Sequence, residues 1–343
     1  MTLGGSVKLV LITGAAGFIG SHVSELLLTE GWHVRAVDSL SENYSPAVKL
    51  GNISGFRHHP SFTFVHDDLT TARLEPLVEG VDAVIHLAAE PGVSKSWGEA
   101  FPTYVQRNIL ATQRLLEAAA CAHAPRVVYA SSSSVYGPTL EPMHETSRLA
   151  PVSPYGVSKL AGECLVGAYA HERGVPTVSL RFFSVYGPRQ RPDMAIHRFT
   201  EALLDGREVS VFGDQVQLRD FTYVGDVARA VVSAATASIA SGTVLNIARG
   251  NPVSVPEVLR LLEDEVRGEA SVVRLPHRPG DTSQTHGDSS AAGTVLGWHA
   301  TTDLSLGLKH QVAWHRSLRD EQPDGVPVAI DAASSSLEEG LVR

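Results

Sequence analysis

Eight residues near the start of the chain, Thr13-Gly14-Ala15-Ala16-Gly17-Phe18-Ile19-Gly20, restrict its fold more than any other stretch. An apolar run, Val7–Thr13, leads into them, and a helical pattern, Phe18–Glu30, starts within them. The spacing predicts a strand that turns abruptly into a helix. Gly14 allows the tight turn, Gly17 lets the backbone approach a pyrophosphate, and Gly20 lets the helix pack on the strand. The first helical turn, with Phe18 and Ile19, offers free N–H groups and the positive dipole end to phosphates. Asp38 closes the next apolar run, 18 residues after Gly20. A carboxylate there accepts both hydroxyls of an adenosine ribose and repels a 2′-phosphate, so the pattern points to NAD rather than NADP.

The same alternation continues through the first half of the chain. Strands are predicted at Val7–Thr13, His33–Asp38, Phe62–His66, Ala83–Ala88, Arg126–Ser131, Thr177–Phe183 and Thr243–Ala248. Helices are predicted near Phe18–Glu30, Val105–Ala120 and Pro154–Arg173. Continuous apolar strands separated by helices read as an α/β fold, a Rossmann-type doubly wound parallel sheet. Residues 1–187 form the expected dinucleotide-binding domain, joined by the later strand near 243–248. Residues 188–318, with short strands such as Val209–Phe212 and Arg219–Tyr223, form a smaller discontinuous lobe over the open end of the sheet. Residues 319–343 lack periodicity and read as a mobile tail. Two further strand ends fit the cofactor site. Asp68, before Leu69, is placed either to accept from an adenine amino group or to cap the next helix. His86 is followed by Leu87, Ala88 and Ala89, whose size allows a cofactor to pass close to the backbone.

Charge and composition exclude several functions. With 28 basic and 37 acidic side chains the net charge is −9, which argues against nucleic acid as a partner. No apolar run approaches the roughly 20 residues of a membrane span, so no membrane partner is expected. Cys121 and Cys164 cannot build a disulfide framework, and a cytoplasmic setting is expected. The 15 histidines show no metal-ligand spacing; the adjacent pair His58-His59 reads as a solvated loop, and no metal is expected.

The strongest chemical signal is Ser153-Pro154-Tyr155-Gly156-Val157-Ser158-Lys159. Ser153 is a good N-cap and Pro154 a good first helical residue. Tyr155 and Lys159 then share one helix face. A free phenol has a pKa of about 10. A nearby ammonium and a cationic nicotinamide favour its ionised form, and Tyr155 can then take a proton from an alcohol as hydride leaves the same carbon. Lys159 can also hydrogen-bond the nicotinamide ribose. A third hydroxyl is expected at a strand end, within Ser131-Ser132-Ser133-Ser134.

With these motifs, the chain resembles the extended short-chain dehydrogenase/reductases that act on nucleotide sugars, from about residue 7 to 318. The resemblance makes Ser132, Tyr155 and Lys159 the catalytic group, and places Asn108 on the nicotinamide side. It implies that Arg219, and Arg278 with Asp281 in Arg278-Pro279-Gly280-Asp281, bind a nucleotide diphosphate, where guanidinium forks suit phosphate oxygens. It also implies a homodimer through the helices near Val105–Ala120 and Pro154–Arg173. Branches of the family that eliminate water or decarboxylate carry a carboxylate where this chain has Ser133 or Ser134. The remaining outcome is 4-epimerisation through a 4-keto sugar, with no net use of cofactor. The run Ser184-Val185-Tyr186-Gly187-Pro188-Arg189-Gln190-Arg191-Pro192-Asp193-Met194-Ala195 resembles that of UDP-glucuronate 4-epimerases. There Ser184 and Arg191, helped by Ser133, would hold the sugar carboxylate. A neutral UDP-sugar such as UDP-glucose or UDP-N-acetylglucosamine, a decarboxylase and a non-catalytic NAD(H)-binding protein are the alternatives. Two features depart from the uronate pattern: Ser94-Lys95 stands where an Arg is common, and Glu90 adds a negative charge near an anionic substrate.

Overall fold

The computed structural model describes residues 8–122, 125–213 and 217–320. Its first half follows the order β1 (Leu9–Thr13), α1 (Phe18–Thr29), β2 (His33–Asp38), α2 (Pro46–Ile53), β3 (Phe62–His66), α3 (Glu75–Val78) and β4 (Ala83–His86). Next come α4 (Phe101–Tyr104), a π-helical turn (Val105–Leu110), α5 (Ala111–Cys121), β5 (Arg126–Ser132), α6 (Pro154–Arg173) and β6 (Thr177–Phe182). The second half holds β7 (Ser184–Tyr186), α7 (Ala195–Leu204), β8 (Val209–Phe212), β9 (Leu218–Arg219), β10 (Phe221–Tyr223), α8 (Val224–Thr236), β11 (Thr243–Ile247) and β12 (Val253–Ser254). It closes with α9 (Val255–Val266), β13 (Val272–Leu275), α10 (Ser290–Leu296) and α11 (Leu304–Asp320).

Seven parallel strands make the central sheet, in the order β11-β6-β5-β4-β1-β2-β3. Consecutive residues of β1 show why its sequence is apolar throughout. Val10 and Ile12 pack on one face with Val227 and Val231 of α8, while Leu11 packs on the other with Leu115 and Leu116 of α5. A strand covered on both faces has no polar side to alternate with. The order reverses between β1 and β4, and there the connections leave in opposite directions and open a crevice at the strand C-termini. Three two-stranded pairs, β7 with β10, β9 with β12 and β8 with β13, lie outside the central sheet. Their apolar residues, with those of α7, α9 and α11, form a separate core around Tyr186, Phe199 and Leu262.

Several boundaries differ from the sequence reading. Val7 lies outside the described residues, and β1 begins at Leu9. The strand expected to reach Ala88 stops at His86, where the chain turns and the Ala88 N–H donates to Thr13 Oγ1. The strand expected at Arg219–Tyr223 is broken at Asp220. That fully buried carboxylate accepts from the backbone N–H groups of Arg249, Gly250 and Gly287, so residue 220 serves a loop junction instead of a ladder. The helix expected at Val105–Ala120 opens with the π-helical turn. Of the tail expected to be mobile, residues 319 and 320 belong to α11, and residues 321–343 lie outside the described residues.

Candidate active site

The glycine turn is built as its spacing requires. Gly14 has φ +69°, and a Cβ there would sit 2.8 Å from the Ala88 backbone nitrogen. A Cβ on Gly20 would lie 2.2 Å from the Gly14 oxygen. Gly17, the N-cap of α1, provides no side chain to satisfy the helix N–H groups, which leaves them for an anion. Asp38 is buried, and its two oxygens accept from Ala16 N at 3.0 Å and Leu40 N at 2.8 Å. One carboxylate therefore braces the glycine turn while lining the cavity beside it. Asp68 also lines that cavity, and its Oδ1 accepts from the Thr70 N–H and hydroxyl within a turn; it does not cap α3, whose N-cap is Leu74.

This crevice encloses a cavity of about 380 Å³. Gly14, Gly17, Phe18, Ile19, Gly20, Leu69, Leu87, Ala88 and Ala89 line one part of it, and Ser132, Ser133, Tyr155, Lys159, Ser184 and Arg191 another. A second cavity of about 210 Å³ holds Arg219 and Asp281, and Ser133, Ser134, Ser184 and Val93 line both. The serines thus stand between a space suited to a dinucleotide and a smaller space flanked by an arginine.

Local chemistry fixes the reactive groups. Ser153 Oγ caps α6 by accepting from Gly156 N, and Tyr155 and Lys159 follow on one face. Ser132 ends β5 and caps the next turn by accepting from Ser134 N at 3.1 Å. Burial raises the Tyr155 phenol above its ordinary value, opposed by the Ser132 hydroxyl and the Arg191 guanidinium. Burial also brings the Lys159 ammonium down to about 7, against the pull of the Glu163 carboxylate. Lys159 Nζ stands 4.7 Å from the centre of the Tyr129 ring. The groups that oppose this burial of Tyr155 are Ser132 and Arg191.

Arg191 is gripped by Asp193 through two hydrogen bonds of 3.0 Å, from Nε and Nη2, and that pairing sets the plane of its guanidinium. Glu90, whose charge the sequence left unexplained, pairs with Arg107 at 2.6 Å. Asn108 does not line either cavity. Its amide accepts from Glu90 N and donates to Glu90 O and Ser158 Oγ, so it braces the wall between β4 and α6. Arg278 likewise lies outside both linings; its guanidinium stacks 3.3 Å over the Phe212 ring. Lys95 is exposed on a short turn, Ser94–Ser96, and its charge helps hold the Asp193 carboxyl low.

The sequence reading missed Tyr44, Lys49 and Arg107, all of which line the larger cavity. Lys49 is buried and donates to the Ser41 carbonyl at 2.5 Å and to its hydroxyl at 3.0 Å. The Tyr44 hydroxyl is buried without a partner among the described residues. Tyr44 and Lys49 reach the site through an irregular loop and α2, and Arg107 through the π-helical turn. Far from this spacing logic, the fold also gathers His197, Glu201 and His315, a group that linear spacing did not disclose.

Comparison with known proteins adds an independent line. Residues 10–248 match the model of the NAD dependent epimerase/dehydratase family. A Bacillus subtilis (strain 168) protein named as an uncharacterized UDP-glucose epimerase, YtcB, is 42% identical over 311 residues, covering 90% of this chain and 98% of the relative. A UDP-glucuronate 4-epimerase of Thermodesulfobacterium geofontis (strain OPF15) is 35% identical, over 89% of this chain and 95% of its own. The crystal structure of UDP-glucuronic acid 4-epimerase from Bacillus cereus, in complex with UDP-glucuronic acid and NAD, superposes with a TM-score of 0.89 at 39% identity. That match covers 91% of this chain and all of the other.

Proposed function

The chain belongs to the NAD dependent epimerase/dehydratase family, and we propose that it is an NAD-dependent enzyme interconverting UDP-glucuronate and UDP-galacturonate. The observation that carries the substrate assignment is the placement of Arg191 and Ser184 in the cavity that holds Ser132 and Tyr155, with serine at both 133 and 134. A cation and hydroxyls suit a sugar carboxylate, and no carboxylate at 133 or 134 is available to divert a keto sugar.

The residues present fit the cofactor. The Gly14 cradle leaves no room for a Cβ, the first turn of α1 presents free N–H groups, and Asp38 borders the cavity for the ribose. When bound, NAD would supply a hydride acceptor for C4 of the sugar and, once reduced, a hydride donor to the opposite face. Tyr155 accepts the O4 proton as the carbonyl forms and gives it back on reduction, so proton and hydride both balance over the cycle. Ser132 hydrogen-bonds O4 through both steps. Burial leaves the Tyr155 phenol above its usual value, against the pull of Ser132 and Arg191; the positive charge that an oxidised nicotinamide would supply, and a neighbouring ammonium, both favour proton loss. Ser184 and Arg191, with Ser133, hold the carboxylate ionised and hydrogen-bonded, which restrains loss of CO₂ from the keto acid. Arg219 and Asp281 face the adjoining cavity for the nucleotide diphosphate, while Arg278 stacks on Phe212 outside its lining.

The same proposal divides the chain into a cofactor domain, residues 1–187 with the strand near 243–248, and a sugar-nucleotide lobe over 188–318. It places the enzyme in the cytoplasm as a homodimer. Among the described residues no helix is long and apolar enough to cross a membrane. Epimerisation of neutral UDP-glucose is the second reading, favoured by the name of the Bacillus subtilis relative. Incubation with UDP-glucuronate without added NAD, followed by proton NMR, tests the assignment. UDP-galacturonate is the expected product; a UDP-pentose would mean decarboxylation, and turnover of UDP-glucose alone would favour the neutral sugar.

A further inference from the structure

Among the described residues, one group of potential ligands lies outside the site above: His197 and Glu201, one turn apart on α7, and His315 on α11. One ligand atom from each lies within 4.8 Å of the others. Neither ring lines either cavity. Both imidazoles are oriented by partners that can only accept. His197 Nδ1 lies 2.8 Å from the Gln190 carbonyl oxygen, so it carries the proton and leaves a lone pair on Nε2. His315 Nδ1 lies 2.5 Å from Glu201 Oε1, which leaves its Nε2 as the second lone pair. That Nε2 is buried and has no hydrogen-bond partner among the described residues. Such an orphan costs stability unless something electrophilic meets it.

The rings are 4.5 Å apart, centre to centre. An imidazole whose far nitrogen donates to a carbonyl or a carboxylate is the arrangement that metal-binding histidines show, because the outer partner fixes the tautomer and raises ligand basicity. Arg319 donates to the other Glu201 oxygen at 2.9 Å and holds that carboxylate in place.

We propose that His197 and His315 bind one borderline divalent transition-metal ion, of the Zn²⁺, Co²⁺ or Ni²⁺ class, with Gln190 and Glu201 as the outer partners that orient the two rings. Imidazole nitrogen suits this class, while Mg²⁺ and Ca²⁺ prefer oxygen. The ion would tie α7 to α11. Through Gln190 it would also steady the segment that carries Arg191, since Gln190 Oε1 accepts from His197 N and from Gln311 Nε2.

Trp314 supplies a local probe, its ring 4.7 Å from His315 and 6.0 Å from His197. Tag-free, metal-stripped full-length protein is titrated with Ni²⁺ while tryptophan emission is followed. One equivalent should quench it saturably, and Zn²⁺ should compete. Trp314→Phe should lose the quenching yet still bind one ion by equilibrium dialysis. His197→Ala and His315→Ala should each abolish binding, and Glu201→Gln should weaken it about 10- to 100-fold. Absence of saturable binding by the unmodified protein overturns the proposal without recourse to any variant. Equal binding by the unmodified protein and a folded His197→Ala or His315→Ala, checked by circular dichroism, overturns it too.

Discussion

Arg191 carries the specificity argument because its guanidinium already has a fixed partner. Asp193 takes the Nε edge, and the remaining N–H groups are left for a second carboxylate. Arg191→Ala should lower kcat/KM for UDP-glucuronate about 10- to 100-fold, the worth of a hydrogen bond to a charged group, and change turnover of a neutral UDP-sugar little. Equal losses on both substrates in steady-state assays would refute the assignment. Lys159 gives a prediction with a pH sign. Burial brings its folded value to about 7, below the ordinary value for lysine, so between those values the unfolded chain binds more protons and stability rises with pH. Lys159→Met should abolish turnover and raise Tm. That gain should be full below about pH 7 and fade as pH climbs towards 10; a gain independent of pH in thermal melts would contradict the burial argument. Tyr155, Lys159 and the glycines were legible in the sequence because their chemistry depends on spacings within one helix or one turn. Asp193 also lay in view, in the run with Arg191, but its grip appears only in three dimensions. The Glu90–Arg107 pair and the unpartnered Tyr44 hydroxyl were not legible, since each depends on elements meeting across the fold.

At the scale of elements, α6 shows how one helix serves two ends. Its capped first turn aims Tyr155 and Lys159 inward, while Glu163, two turns further on, is clamped by Arg181 of β6 and accepts from Ser131 Oγ at 2.6 Å. Replacing either member of that buried pair would strand the other's charge. The outward side tells a different story. Val157 on α6 and Val105 and Leu110 on the π-helical turn are each more than a third exposed, and they belong to the two helices through which a dimer is proposed. Val157→Glu should convert a dimer into monomers in sedimentation experiments; a monomeric parent protein would remove the proposal. Strands β2 and β3, and helix α6, match their sequence-based bounds because apolar runs and caps define them. The π-helical turn escaped, as its residues read as ordinary helix. Asp220 likewise interrupts a strand pattern for the sake of a long-range backbone junction.

For the molecule as a whole, the sheet's reversal between β1 and β4 explains why cofactor and sugar chemistry share one crevice. The parallel order was readable from the alternation of strands and helices. The outer pairs β7–β10, β9–β12 and β8–β13 were less so, being short and joining residues far apart in the chain. A single cavity that reaches from the glycine turn to Arg191 accounts for a reaction in which the hydrogen taken from the sugar never leaves the protein. The most direct test follows that hydrogen. Purified protein given UDP-glucuronate deuterated at C4, in ordinary water and without added NAD, should yield UDP-galacturonate with the deuterium still at C4 by NMR. Loss of the label to solvent, or no product from a protein shown to retain NAD, would contradict the account.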